Sequence, residues 1–136
     1  YVTNGYESPE AWKVLHRYGL TAANIDLKAF TEEFYHRHIM ANLEPVKESI
    51  ILAKKYKIWV ELTTLLIPGE NDSPNEIKQA VDWIVENVGV DTPWHFTAFY
   101  PQYKQLDTPP TPPTTLLKAR DIARMGGIKF VYIGNV

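Results

Sequence analysis

Residues 58–67 read Ile-Trp-Val-Glu-Leu-Thr-Thr-Leu-Leu-Ile, an almost continuously apolar run. Such a run is typical of a strand that is buried on both faces of a parallel sheet. The next six residues, 68–73, read Pro-Gly-Glu-Asn-Asp-Ser and are dense in turn formers. Together the two stretches predict a core strand that ends in a turn.

Helical and extended patterns alternate on both sides of this strand. Strict alternation of apolar and polar residues predicts a strand over 22–28, and Ser8 followed by Pro9 predicts a helix start. The other expected elements are helices from near Thr31, from near Pro45, over 77–88 and from about Thr114 to Met125, and strands over 94–100 and 129–133. This alternation predicts right-handed βαβ units, a parallel sheet and a single α/β domain over residues 1–136.

Polar residues recur on one face of each expected strand. The residues that share such a face are Asn24, Asp26 and Lys28, then Trp59, Glu61, Thr63, Leu65 and Ile67, then His95, Thr97 and Phe99. A flat doubly wound sheet would bury these groups under helices at a cost in free energy. A barrel with a partly wet interior explains them better. Its active site would lie at the carboxyl ends of the strands, where Thr3, Asn4, Lys28 and Pro68 fall.

The composition excludes several function classes. The balance of 14 basic and 16 acidic residues gives no electrostatic reason to expect nucleic acid or an anionic membrane as a partner. The chain has no cysteine, which excludes a disulfide and an ordinary cysteine-ligated iron–sulfur cluster on this chain. No apolar run approaches the roughly 20 residues that cross a bilayer, and no signal peptide is recognised. We therefore expect a cytoplasmic protein.

Asp26 and Lys28 form the most informative polar pair, because residues two apart on a strand point the same way. The spacing fits an ion pair, exposed or lining a wet cavity. It also fits a site for a ligand with hydroxyls and a carboxylate, since Asp accepts from hydroxyls and Lys donates to carboxylates. A barrel aldolase that forms a Schiff base on Lys28 is another alternative.

Other polar motifs have plainer explanations. Residues 3–5 (Thr-Asn-Gly) fit either a turn, in which Asn and Gly accept positive φ, or a polar lip at the barrel mouth. His95 is a lone strand histidine, and such residues more often form a core hydrogen bond than act as a ligand or base. His36 and His38 lack a third metal ligand at a suitable spacing and fit exposed helix-end residues. We predict no metal site and no catalytic residue within the chain.

Three stretches taken in order form a more specific pattern than any one of them. They are Tyr1-Val2-Thr3-Asn4-Gly5, Asn24-Ile25-Asp26-Leu27-Lys28 and Leu66-Ile67-Pro68-Gly69-Glu70-Asn71-Asp72-Ser73. This pattern resembles the radical S-adenosylmethionine (SAM) enzymes of the pyruvate formate-lyase activating type. Within that group, residues 92–96, 99–101 and 131–136 are most similar to the AmmeMemoRadiSam-system subfamily. The resemblance spans essentially the whole chain.

The resemblance implies a partial (β/α)6 TIM-like barrel whose parent enzyme cleaves SAM at a [4Fe-4S] cluster to give a 5′-deoxyadenosyl radical. In the family, three cysteines after the first strand hold the cluster, and a Gly-Gly-Glu stretch at the second strand binds the methionine part of SAM. Neither motif is present, because the chain resembles the family from the end of the third strand onward. We therefore expect a C-terminal fragment that lacks the cluster-binding strands, is inactive alone and has no bound cofactor.

The resemblance also implies site residues. The residues implied to bind SAM are Asn4, Asp26, Lys28, Thr63 and Tyr103. Asp26 and Lys28 match a stretch that contacts ribose and carboxylate groups of SAM. Thr63 falls where activating enzymes carry an arginine near SAM, and Tyr103 falls near their adenine-side histidine. Those implied for a monovalent cation beside SAM are Thr3, Asn24 and Asp26.

Partners follow from the same resemblance. SAM is the implied small-molecule partner, and activating members abstract hydrogen from a glycine of a partner enzyme, which implies a glycyl-radical-type protein substrate for the parent. A binding or assembly module without catalytic activity is a further alternative, as is the aldolase. Since the first strands are absent, we expect an unpaired strand edge near residues 1–4 and an uncovered sheet face that includes Trp59 and Phe99. We expect the chain to self-associate through this edge and this face.

Overall fold

The computed structural model describes residues 1–102 and 106–136 of the chain. Its strands are β1 (Val2–Thr3), β2 (Ala22–Asp26), β3 (Trp59–Leu66), β4 (Trp94–Ala98) and β5 (Val131–Gly134). Its helices are α1 (Pro9–Arg17), α2 (Glu32–Phe34), α3 (Leu43–Lys55), α4 (Pro74–Asn87) and α5 (Pro113–Met125), and a π-helical turn (Tyr35–Ile39) follows α2. Strands and helices alternate along the chain, as the sequence predicts.

The strands form one sheet in which all neighbours are parallel and follow chain order from β1 to β5. When strands follow chain order and their crossover connections all have the same handedness, the crossover helices lie on the same side of the sheet. A doubly wound sheet would instead reverse its strand order at a switch point. The fold is therefore an α/β structure of the partial-barrel type, which confirms the predicted fold class.

The two faces of the sheet differ in what covers them. Ile25, Leu62 and Phe96 point toward the helices and have no exposed surface. The opposite face, termed the open face, carries the partly or fully exposed side chains of Asn24, Asp26, Glu61, Thr63, His95 and Tyr132. Polar residues that the sequence groups on single strands thus lie together on one surface.

Local sequence explains where the helices begin. Ser8 caps α1 and Ser73 caps α4, each accepting a backbone hydrogen bond at 3.2 Å, and a proline follows each cap. Helix α3 begins at Leu43, two residues before the Pro45 that marks its predicted start. Proline is tolerated in the first turn of a helix, so Pro45 does not have to be the first helical residue.

One expectation about the uncovered face is wrong. Strand β4 ends at Ala98, and Phe99 then turns into the core with 6% of its surface exposed. Its N–H donates to the Thr111 hydroxyl at 2.8 Å, and its carbonyl accepts from the Thr111 N–H at 3.0 Å. These two bonds hold Phe99 away from the open face. Trp59 is 55% exposed there, as expected.

The helices pack onto the sheet around one hydrophobic core. Trp12 of α1 is fully buried, and its indole N–H donates to Ser49 of α3 at 2.8 Å, which joins the two helices. Within residues 1–102 and 106–136, no helix combines the length and the apolar character needed to cross a membrane.

Candidate functional site

The carboxyl ends of β1, β2 and β3 meet at one edge of the sheet. Parallel strands in chain order bring these ends together, and barrels place their ligand sites there. Residues 3–5, 26–28 and 67–73 end or follow these three strands. The stretches singled out by the sequence are therefore neighbours in space.

Asp26 and Lys28 form an ion pair at this edge. Lys28 Nζ lies 3.0 Å from Asp26 Oδ2, and the two side chains are 35% and 32% exposed for Lys28 and Asp26. Because about a third of each side chain is exposed, the pair is accessible to a ligand. Asp26 can accept bonds from hydroxyls, and Lys28 can donate to a carboxylate.

Thr63 lies beside this pair on the next strand, where it is the register partner of Asp26. Its hydroxyl donates to Asn24 Oδ1 at 2.8 Å. The structure therefore gathers Asn24, Asp26, Lys28 and Thr63 on neighbouring strands at the carboxyl end of the open face. We term these four residues the ion-pair patch.

Two residues outside the predicted site hold the backbone on both sides of Lys28. The Lys28 N–H donates to the phenol oxygen of Tyr35 at 3.1 Å. The Lys28 carbonyl accepts from Asn71 Nδ2 at 2.7 Å. Both bonds lie beyond Asp26, the last residue of β2, so side chains replace the sheet ladder at this point. Tyr35 and Asn71 thereby fix the position of Lys28.

Asn71 also connects this point to the end of β3. Its side chain is almost fully buried, Nδ2 donates to the Leu65 carbonyl at 2.8 Å, and Oδ1 accepts from the Ile67 N–H at 2.7 Å. In the sequence, Asn71 is a turn former within the stretch 66–73, and it is not among the predicted site residues. Its position in a turn directly after a buried strand could have indicated this role, because Asn side chains in turns bond to nearby backbone.

Tyr35 begins the π-helical turn and is 1% exposed. Burial raises the pKa of its phenol to about 12, so the hydroxyl keeps its proton at neutral pH. The turn ends at Met40, which has a left-handed φ of 54°. A cavity of about 270 Å³ lies beside the turn, and its lining includes Asn4, Tyr6, Lys28, Tyr35, Met40 and Val46.

Thr3 does not join the ion-pair patch. It is 7% exposed on the helix-covered side, where its hydroxyl donates to the Glu7 carboxylate and accepts from the Gly5 N–H at 3.0 Å. The Thr3 side chain therefore lies on the other face of the sheet from Asn24 and Asp26. The three side chains predicted to bind a cation, those of Thr3, Asn24 and Asp26, do not lie together on one face, and the cation site stays a prediction.

Asn4 and Tyr103 complete the predicted set. Asn4 is exposed in the turn after β1, and its Oδ1 accepts from the Tyr6 N–H at 2.9 Å. Gly5 follows with a φ of 75°, which agrees with the turn explanation of residues 3–5. Tyr103 lies outside the described residues.

The histidines of the π-helical turn have separate surroundings. His36 is exposed, as expected, and its Nε2 lies 2.8 Å from Asn42 Oδ1. His38 is instead half-buried, and its Nε2 lies 3.0 Å from the Glu70 carboxylate, which also pairs with Arg37. Across the described ranges, no group of three or more potential metal-ligating side chains could hold a metal ion.

The ion-pair patch fits SAM in the chemistry of its groups. A carboxylate suits ribose hydroxyls, an ammonium group suits the methionine carboxylate, and both lie on the accessible face. The chain fits an iron–sulfur cluster less well, because it contains no cysteine and so supplies no thiolate ligand.

The fold and the site together define a parallel α/β partial barrel with an accessible ion pair at the carboxyl ends of its strands. Residues 1–84 match the model of the Radical SAM superfamily. This match covers more than half of the chain, and the chain belongs to the radical SAM superfamily. The family implies a radical-generating type of enzyme, with SAM and a [4Fe-4S] cluster in its full-length proteins.

Known proteins resemble the chain in sequence and in fold. It is 44% identical over 135 residues to the uncharacterized protein MJ0808 of Methanocaldococcus jannaschii, a match that covers 99% of this chain and 39% of that protein. A domain of pyruvate-formate lyase-activating enzyme from Bacteroides vulgatus ATCC 8482 superimposes with a TM-score of 0.82 at 13% identity, covering 98% of this chain and 79% of that one. A radical SAM methyltransferase from Sphaerobacter thermophilus gives a TM-score of 0.76 at 13% identity, covering 99% of this chain and 40% of that one.

Proposed function

We propose that this chain is the SAM-contacting C-terminal portion of a radical SAM enzyme of the pyruvate formate-lyase activating type, related to the AmmeMemoRadiSam-system subfamily. The observation that carries the proposal is the Asp26–Lys28 ion pair, accessible at the carboxyl ends of the strands in a member of this superfamily. In the complete enzyme, SAM and the cluster supply a 5′-deoxyadenosyl radical.

Each residue of the ion-pair patch has a proposed role. Asp26 accepts hydrogen bonds from the ribose hydroxyls, and Lys28 donates to the carboxylate of the methionine part. Thr63 and Asn24, bonded to each other at 2.8 Å, border the ribose side, and Asn4 and Tyr103 are proposed to complete the SAM contacts. Tyr35 and Asn71 hold the Lys28 backbone so that its ammonium group stays beside Asp26.

The cluster is proposed to lie on a part of the longer protein outside this chain. The chain spans 39% of the length of the curated relative that it matches, and it has no cysteine of its own. We therefore propose that the 136 residues form one domain that is inactive alone. A glycyl-radical-type protein substrate for the parent and a cytoplasmic location stay predictions.

The test of the SAM site is a titration of the ¹⁵N-labelled chain with SAM, followed by NMR. Without the methionine contacts of the remaining barrel, affinity is expected to be weak, with a Kd of about 1 mM or above. Amide shifts are expected for residues 24–28 and 67–71, which surround the ion-pair patch. Lys28→Met should abolish them, whereas Lys78→Met on the exposed side of α4 should leave them unchanged.

Two results would count against the SAM site. One is a set of shifts that maps to another surface, and the other is a Lys28→Met protein that binds as the wild type does. Borohydride trapping of a carbonyl substrate on Lys28 would favour the aldolase alternative instead.

The class of the parent enzyme is tested in the reading frame that encodes this chain. We expect a Cys-x3-Cys-x2-Cys stretch within the same frame, because thiolates in close spacing hold a [4Fe-4S] cluster. A complete reading frame without such a stretch would contradict the proposed radical chemistry.

A further inference from the structure

A second polar group lies on the open face beside the ion-pair patch. Glu61 of β3 and His95 of β4 are bonded at 2.7 Å between Oε2 and Nε2, with side chains 35% and 31% exposed. The other carboxylate oxygen of Glu61 accepts from the Trp59 indole N–H at 3.1 Å. Tyr132 of β5 stacks on the imidazole, with 5.1 Å between ring centroids and 24° between planes. Their mutual bond and the contacts with Trp59 and Tyr132 therefore fix the position of His95 and Glu61.

Among the described residues, this arrangement leaves the Nδ1 atom of His95 without a hydrogen-bond partner. Both oxygens of Glu61 have donors, and the carboxylate receives the proton of Nε2, which leaves the lone pair of a neutral imidazole on Nδ1. Within residues 1–102 and 106–136, no hydrogen bond to Nδ1 is formed. Nδ1 is therefore the atom through which this pair can act on a bound molecule.

The sheet register relates His95 to the ion-pair patch. Asp26 is the register partner of Thr63, and Thr63 is the register partner of His95. All three side chains therefore share the open face and lie in one row across the sheet. Because neighbouring strands are about 4.8 Å apart, the Cα atoms of Asp26 and His95 are separated by about 10 Å. A molecule that lies on the open face over Thr63 can therefore contact both side chains.

We propose that Glu61 and His95 form an acid–base dyad, in which His95 Nδ1 exchanges a proton with a substrate bound on the open face beside Asp26. The proposal deepens the proposed function and rests on it, because it takes SAM to occupy the ion-pair patch. The substrate class is a molecule or peptide segment with an exchangeable O–H or N–H group within about 3 Å of Nδ1.

The proton step balances without any further reactant. The X–H bond of the substrate breaks, its electron pair stays on X, and a new N–H bond forms at Nδ1. The resulting imidazolium lies against the Glu61 carboxylate, which stabilises its charge. The reverse transfer returns the proton to the product. Glu61 is a positioning residue in this scheme, whereas His95 is the group that contacts the substrate.

Charged and titratable groups face His95 from three strands of the part of the chain that the structure describes. From β3 the facing group is Glu61, and from β5 it is the phenol of Tyr132. Two strands away, the nearest are Asp26 at the end of β2 and Lys28 just after it, which pair with each other. The Glu61 carboxylate is therefore the group whose loss should alter His95 most.

Two measurements on the chain test the dyad without SAM. Ring ¹⁵N NMR of neutral His95 is expected to show the proton on Nε2 in the wild type and a mixture of both tautomers in Glu61→Leu. Hydrolysis of p-nitrophenyl acetate then probes Nδ1. Nδ1 attacks the ester carbonyl, p-nitrophenolate leaves, and the Nε2 proton passes to the Glu61 carboxylate. Water then hydrolyses the acetylimidazole to acetate, and the proton returns to Nε2.

Most of that hydrolysis is expected to be lost in His95→Gln and reduced in Glu61→Leu, whereas His16→Gln, on α1, should hydrolyse as the wild type does. A proton on Nδ1 in the wild type, or an unchanged rate in His95→Gln, would overturn the dyad. Neither outcome depends on the SAM titration, so failure of the dyad and failure of the SAM site can be told apart. A His95 variant that fails to fold is recognised by its NMR spectrum, and Glu61→Leu then decides the outcome alone.

Discussion

At the scale of single residues, some members of the site can be predicted from the sequence and others cannot. Asp26 and Lys28 can be recognised because strand period places them on one face and their chemistry suits a ligand. Tyr35 and Asn71 act on Lys28 from a helical turn and a loop, and neither position follows from strand period. Their contacts depend on how the chain folds back over the carboxyl ends of β2 and β3, which no local pattern encodes.

Asn71→Ala is expected to destabilise the fold. The change would leave three backbone groups without their partner, the buried N–H of Ile67 and the partly buried carbonyls of Lys28 and Leu65. Since an unsatisfied buried group costs about 1–3 kcal/mol, we expect a loss of about 3 kcal/mol in the free energy of unfolding. Urea denaturation measures it, with Asn87→Ala as the exposed control. A loss equal to that of the control would show that water replaces all three bonds.

Glu76→Gln is expected to stabilise the protein near neutral pH. Glu76 is 8% exposed and accepts from the Phe30 N–H at 2.7 Å, and burial raises the pKa of its carboxyl. A raised pKa means that the folded state binds the proton more tightly, so the charged carboxylate costs stability at high pH and this cost fades as pH falls. Glutamine keeps an acceptor oxygen and carries no charge.

Thermal unfolding across pH measures this effect. The Tm of Glu76→Gln should exceed that of the wild type at pH 7, and the difference should disappear below about pH 4, where both states of glutamate are protonated. Glu86→Gln, on the exposed side of the same helix, is the matched control. A Tm advantage that does not change with pH would exclude desolvation as its cause.

At the scale of elements, the sequence predicts most helices and strands because caps and periodicity are local. Ser8 marks the start of α1, the helical pattern over 77–88 covers most of α4, and the apolar run over 58–67 contains β3. The ends of strands are predicted less well. Strand β4 stops at Ala98 because Phe99 bonds to Thr111, a partner 12 residues away in sequence. Such a contact depends on tertiary structure.

The packing of α4 against α5 gives a prediction at this scale. A Cβ atom added at Gly126, the C-cap of α5, would lie 2.2 Å from a methyl carbon of Val81 in α4. Gly126→Ala should therefore cost about 1–3 kcal/mol through overpacking. In a Val81→Ala background the same change should cost much less. A double-mutant cycle by urea denaturation measures the coupling, and additive effects would show that the clash does not exist.

At the scale of the whole molecule, the helices cover one face of the sheet and leave the other open. Sequential parallel strands make this arrangement unavoidable, since the crossovers share one hand. The sequence could predict it because polar residues recur on one face of each strand. It could not predict which residues bond across strands, because the Glu61–His95 and Asn24–Thr63 contacts depend on strand register.

The open face and the β1 edge lead to the expectation of self-association. Trp59 and Tyr132 are half-exposed on the open face, and Val2 of the two-residue edge strand β1 is 77% exposed. Exposed strand edges pair with other chains, and exposed apolar surface favours contact. We expect the isolated chain of 15.6 kDa to form dimers or larger species in light scattering. Val2→Lys and Trp59→Glu should each shift it toward the monomer.

Tyr18→Lys is the control for these variants, because Tyr18 is 83% exposed at the end of α1, away from both surfaces. It should associate as the wild type does. Mass spectrometry must first establish that the sample is the bare chain, since additional barrel strands would cover the open face. A monodisperse wild-type monomer would then mean that two strand residues at β1 are too short an edge to pair. If Trp59→Glu alone restores the monomer, association runs through the open face, and the Glu61–His95 dyad would be buried in that contact.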